Sequence, residues 1–83
     1  MKILYFAWVR ERVGTAQEEL NLPTEIKTVA DVIDWLTKKD ETYAYAFGDL
    51  RVVRAAVDQV LVPLDASIDG AREIAFFPPV TGG

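Results

Sequence analysis

The 83-residue sequence contains no cysteine and no histidine. The first absence excludes disulfides and thiolate nucleophiles. The second removes imidazole acid–base chemistry, and together they exclude most zinc sites. Catalytic chemistry would have to rest on Asp, Glu, Lys, Arg, Tyr, Ser or Thr, or on the chain termini, and no metal site is expected. No apolar stretch is long enough to span a bilayer. The opening "MKILYFAWVR" carries Arg10 at once and reads as a strand rather than a signal peptide. Positive charge is also scarce: thirteen acidic residues against nine basic ones leave a net charge of −4. Without a basic run, neither nucleic acid nor an anionic membrane surface is an expected partner. The expected location is cytoplasmic.

What is present suits one small globular domain. Hydrophobic residues make up 51% and charged residues 27%, too apolar a mixture for disorder. A chain of this size buries only about 60–65% of the surface its unfolded form exposes. "KILYFAWV" (2–9) is rich in β-branched and aromatic residues and predicts a strand. "EELNL" (18–22) predicts a second, with Val13–Gly14–Thr15 as the turn of an opening hairpin. Thr28 and Asp31 have the spacing of a capping box, and Val29, Val32, Ile33 and Leu36 recur as one helical stripe. Lys38 and Lys39 suit that helix's carboxyl end. "ETYAYAFGD" predicts a short helix with Gly48 as its cap. "VVRAAVD" (52–58) and "VLVPL" (60–64) predict strands around a tight turn at Asp58 and Gln59. "REIAFF" predicts the last strand, stopped by Pro78. The sum is an α+β fold of two layers, a mixed sheet of about five strands under one main helix. Residues 1–77 form the domain and 78–83 an extended tail.

The ending "AFFPPVTGG" invites a chemical reading. Pro78 and Pro79 fix φ near −65° and point the segment outward as polyproline II. Val80 and Thr81 favour extension. Gly82 and Gly83 lack a Cβ, so their backbone can pass through a channel closed to other residues. Four extended residues reach at most about 13–14 Å, which suits delivery of a carboxylate into a partner's pocket. That carboxylate is fully ionised at neutral pH and must be activated before it forms a bond, for instance as an acyl adenylate. The alternative is a flexible end with no role. Adjacent strand residues face opposite ways, so if Phe76 joins Ile74 in the core, Phe77 lies on the outer face near the tail. The first strand is likewise apolar on both faces, and an apolar second face is a candidate partner surface.

The ending "FFPPVTGG", the early "FAWVRE" (6–11), "AAVDQ" (55–59) and the Asp69–Gly70 pair before the last strand resemble the small, sulfur-carrier subunit of molybdopterin synthase, the MoaD family. The resemblance covers essentially the whole chain, and the C-terminal octapeptide is its most specific element. It implies a ubiquitin-like β-grasp fold. It further implies that the Gly83 carboxylate is adenylated by an ATP-dependent, E1-like (MoeB-type) activating enzyme. A sulfur donor protein would then convert it to a thiocarboxylate. The charged tail would enter the large (MoaE-type) subunit of a heterotetrameric synthase and give its sulfur to cyclic pyranopterin monophosphate, forming the molybdopterin dithiolene. The chain itself would bind no cofactor and would not be an enzyme on its own; ATP belongs to the activating partner. By the same resemblance, Gly83 carries the sulfur, Val80, Thr81 and Gly82 form the inserted tail, and Phe6, Leu61 and Phe77, with Pro78 and Pro79, match the docking face. Arg10 and Glu11 match a recurrent "VRE", and Asp58 departs from the family's frequent Asn. Other readings stay open: a β-grasp carrier serving thiamine or tRNA thiolation, a protein modifier, or a binding module whose tail is inert.

Overall fold

The computed structural model describes residues 1–79; the expectations for Val80, Thr81, Gly82 and Gly83 lie outside the described residues. Five strands, three α-helices and one 3-10 turn follow in the order β1 (Lys2–Tyr5), α1 (Ala7–Val13), β2 (Gln17–Glu19), α2 (Val29–Lys39), α3 (Glu41–Ala46), the 3-10 turn (Leu50–Val52), β3 (Arg54–Val57), β4 (Val60–Val62) and β5 (Glu73–Phe77). The sheet order is β2-β1-β5-β3-β4. Neighbours pair antiparallel except the central β1 and β5, which run parallel. First and last strands therefore lie side by side in the middle of the sheet.

Alternation divides the sheet into two unlike faces. Ile3 and Tyr5 of β1, Ile74 and Phe76 of β5, and Ala55 of β3 point to the helical layer and are essentially inaccessible. Opposite them α2 lays down Val29, Val32, Ile33 and Leu36, the stripe its spacing predicts. Phe47, just after α3, packs in a T with Phe76, ring centres 5.0 Å apart, and Tyr5 stacks on Phe76 with centres 6.3 Å apart. The α2 capping box forms as the sequence implies. The Thr28 hydroxyl accepts from the Asp31 N–H at 3.1 Å, and the Asp31 carboxylate accepts from the N–H groups of Thr28 and Lys27. The bonds from Lys27, then Thr28, hold the Asp31 carboxyl below its ordinary range.

The beginning of the chain departs from the sequence reading. Strand β1 stops at Tyr5, and residues 7–13, expected to continue a strand and then turn, form α1. Val9 is buried, and the charged run Arg10–Glu11–Arg12 takes the solvent side. No hairpin turn lies at Val13–Gly14–Thr15. Gly14 is instead the left-handed cap of α1, φ 93°, its N–H bonding the Arg10 carbonyl at 2.8 Å. The β1–β2 pair is antiparallel as expected, but a helix joins it. Strands β2, β3, β4 and β5 are shorter than their apolar runs suggest. Helix α3 is capped by Phe47, not Gly48. The Asp58–Gln59 turn is as expected, both residues having positive φ, 48° and 71°. Such a turn matches the twist of a two-residue hairpin. The Asp58 carboxylate also accepts from the N–H groups of Arg72 and Glu73 at 2.9 and 3.0 Å, which ties the turn to the start of β5.

Candidate functional site

The helical layer covers one face of the sheet and leaves the other open. Register places Leu4, Ala75, Ala56 and Leu61 in one row across that open face, on β1, β5, β3 and β4. Ala75, flanked by a strand on each side, is buried, and Leu4 and Ala56 are half-buried. Leu61, on the edge strand, is 68% exposed. Two residues further along β5, Phe77 lies on the same face, opposite Arg54 and half-buried. Phe6 keeps extended geometry (φ −127°, ψ 155°), and its N–H bonds the Phe76 carbonyl at 3.0 Å. It thus prolongs the parallel β1–β5 pairing by one residue and follows Leu4 onto the open face, 46% exposed.

The sequence-selected Phe6, Leu61 and Phe77 therefore share one apolar face. Pro78 and Pro79, half-buried, leave from its upper margin where β5 stops. Lacking an N–H, Pro78 ends the ladder at Phe77 as its chemistry requires. Sequence reasoning did not single out Ala56 and Ala75, the floor between these residues. Neither alanine carries a local signal, since Ala55, next to Ala56 in β3, is as small and lies on the covered face. Val60, beside Leu61 but facing the other way, is also exposed, because the helical layer does not reach over the start of β4.

One polar cluster lies beneath the helices. The Glu18 carboxylate of β2 accepts from the Tyr5 hydroxyl at 2.8 Å and from the Tyr43 hydroxyl at 2.6 and 2.8 Å. Burial, then the bond to Glu18, pushes the Tyr43 phenol up to about 12. The same causes in the same order push Tyr5 up still further. Both phenols stay protonated and donate, so the cluster ties β2 and α3 to β1 and is no proton relay. Among the described residues no group of three or more His, Cys, Asp or Glu side chains is placed to hold a metal ion. No helix among them is long and apolar enough to cross a membrane.

The arrangement roots the Pro78–Pro79 segment in the middle of a sheet, beside an apolar face. Comparison with known proteins identifies the family. The ThiS family model matches residues 3–83. The chain belongs to the ThiS family. Within reach of that match, it is 40% identical to the molybdopterin synthase sulfur carrier subunit of Escherichia coli, over 100% of this chain and 99% of that one. The protein of the same name from Haemophilus influenzae is 35% identical, again over 100% and 99% of the two chains. The crystal structure of SAMP1 from Haloferax volcanii superposes with a TM-score of 0.73 at 25% identity, covering 100% of this chain and 98% of that one. The fold is the ubiquitin-like β-grasp, and the family resemblance carried by "FFPPVTGG" holds over the full length of this ThiS-family member.

Proposed function

We propose that this chain is the sulfur carrier of a molybdopterin synthase, acting through the carboxylate of Gly83. The observation that carries the reading is the full-length relationship to two sulfur carrier subunits of that synthase. The geometry supports it, because β5 runs from the core directly into the Pro78–Pro79 segment beside an open apolar face. An activating enzyme joins the Gly83 carboxylate to the α-phosphate of ATP and releases pyrophosphate. Hydrosulfide supplied by the sulfur donor then attacks the acyl carbon, and AMP leaves with one of the original carboxylate oxygens. The resulting thiocarboxylate delivers sulfur to the pterin held by a large subunit. Phe6, Leu61, Phe77, Pro78 and Pro79 serve as the docking face, and Val80, Thr81 and Gly82 as the inserted segment. This chain is the reagent, and the partners hold the catalytic groups.

The test is intact-protein mass after incubation with ATP, the activating enzyme and a sulfur source. The expected gain corresponds to one oxygen replaced by sulfur and maps to Gly83. A chain lacking Gly83 should show no gain and should support no molybdopterin formation in a reconstituted mixture with the large subunit. Product formation by the deleted chain would overturn the reading. A thiocarboxylate that forms but fails with the large subunit would assign the chain to another sulfur route.

A further inference from the structure

Charge is distributed unevenly over this acidic chain. Helix α1 and residues 49–54 together hold four arginines (Arg10, Arg12, Arg51 and Arg54) against two acids, Glu11 and Asp49, a local charge of +2. That leaves five cations and eleven acids, −6, for the remainder, which restores the −4 of the whole chain. Both segments adjoin the end of β5 from which the tail departs. Helix α1 follows β1, which runs parallel to β5, and Arg54 is the register partner of Phe77. Every cation in the two segments is an arginine and every lysine lies elsewhere. The planar guanidinium, a bidentate match for carboxylates, distinguishes this choice from mere positive charge.

Arg12 is the member whose geometry is most informative. Its guanidinium lies 4.6 Å from the centre of the Trp8 ring and 4.8 Å from that of Tyr45, so rings from α1 and α3 hold it. Such contacts fix the plane of the group without using its N–H donors. Among the described residues Arg12 joins no ion pair, whereas Arg51 is neutralised by Asp49 at 3.0 Å. Among the described residues Arg54 donates only to the backbone carbonyls of Arg51 and Val53. Arg12 is exposed, and it lines neither the cleft beside Met1 and Ile68 nor the one beside Asp58 and Arg72. Its setting is the exposed side of α1. The −6 carried by the rest of the chain opposes a nucleic acid.

We propose that this arginine cluster, with Arg12 as its pre-oriented contact, docks on carboxylates of the large synthase subunit around the opening that admits the tail. The inference rests on the sulfur-carrier reading and adds the chemistry of the partner's rim. Charged pairs at an interface rim act mainly on encounter rate and are weakened by salt.

Calorimetric and kinetic binding of the full-length chain to the large subunit tests this across a range of salt concentrations. Arg12→Glu should weaken binding about tenfold at low salt, chiefly through the association rate, and the deficit should shrink as salt rises. Arg12→Lys keeps the charge but not the planar fork, so it should fall between that variant and the wild type while leaving α1 folded. Lys38→Glu makes the same charge change outside the cluster and should alter affinity less than twofold, by the same rim reasoning. Equal effects of Arg12→Glu and Lys38→Glu, or wild-type binding that ignores salt, would overturn the proposal alone. A wild-type chain that does not bind the large subunit at all would overturn both this proposal and the function it rests on.

Discussion

Tyr43 reaches Glu18 from α3 while Tyr5 reaches it from β1, so one carboxylate satisfies two phenols that burial would otherwise strand. Replacing Tyr43 by Phe removes one hydrogen bond to a charged group and should cost about 1–2 kcal/mol in urea unfolding. The pH dependence has a definite sign. The Tyr43 phenol sits at about 12 in the folded chain against an ordinary 10.0, so the unfolded chain loses its proton first. Its stabilisation is complete below pH 10.0 and is lost as pH rises through about 12. The urea midpoint of the wild type should therefore fall across that window, and Tyr43→Phe should fall less steeply. An equal slope in both would remove Tyr43 from the linkage. This cluster was not legible in the sequence. Glu18, Tyr5 and Tyr43 lie far apart along the chain, and only the folded β2–β1–α3 arrangement brings them together.

Helix α2 shows what local sequence does specify. Its capping box, apolar stripe and terminal lysines all point to one element, and that element formed with its expected start. Thr28→Ala should lower stability by about 1 kcal/mol, since the Asp31 N–H loses its acceptor. Thr28→Ser should restore most of it, and chemical unfolding of the two variants side by side is the check. Asp40 does double duty: it closes α2, and its carboxylate accepts from the Thr42 N–H to open α3 without an intervening loop. By contrast, the β propensity of Phe6, Trp8 and Val9 predicts a strand over residues 2–9, where the chain turns helical at Ala7. Two signals pointed to a helix. Arg10, Glu11 and Arg12 in succession cannot alternate into a core, and Gly14 stands where a left-handed cap is needed. Tertiary packing of Val9 overrode the propensity of its neighbours. The candidate site was more legible than α1 because the two-residue period of a strand fixes which side chains share a face. That period put Phe77 opposite Phe76. The partition of β1 was harder, since both sets of its side chains are apolar and only the position of the helices decides which is covered.

At the scale of the molecule, one face of the sheet is covered and the other open, and the proposed docking uses only the open one. Leu61 belongs to the open face and touches little of the core. Leu61→Asp should change stability by no more than about 0.5 kcal/mol, as for a surface position. It should also reduce binding to the large subunit at least tenfold by placing a charge within an apolar contact. Thermal unfolding and a binding titration on one preparation separate the two effects. A large loss of stability would place Leu61 in the core, and unchanged affinity would remove it from the docking face.

The tail is rooted on β5, with β1 on one side and β3 on the other. Traction on the tail acts along the axis of β5, while the bonds to both neighbours lie across it, so the two ladders bear the load together in shear. A tail rooted on an edge strand would let its bonds open one after another, as a zip does. The central root makes the tail a handle fixed to the keystone of the sheet. On the proposed function, a partner that grips the last residues would pull on β1 and β3 together through β5.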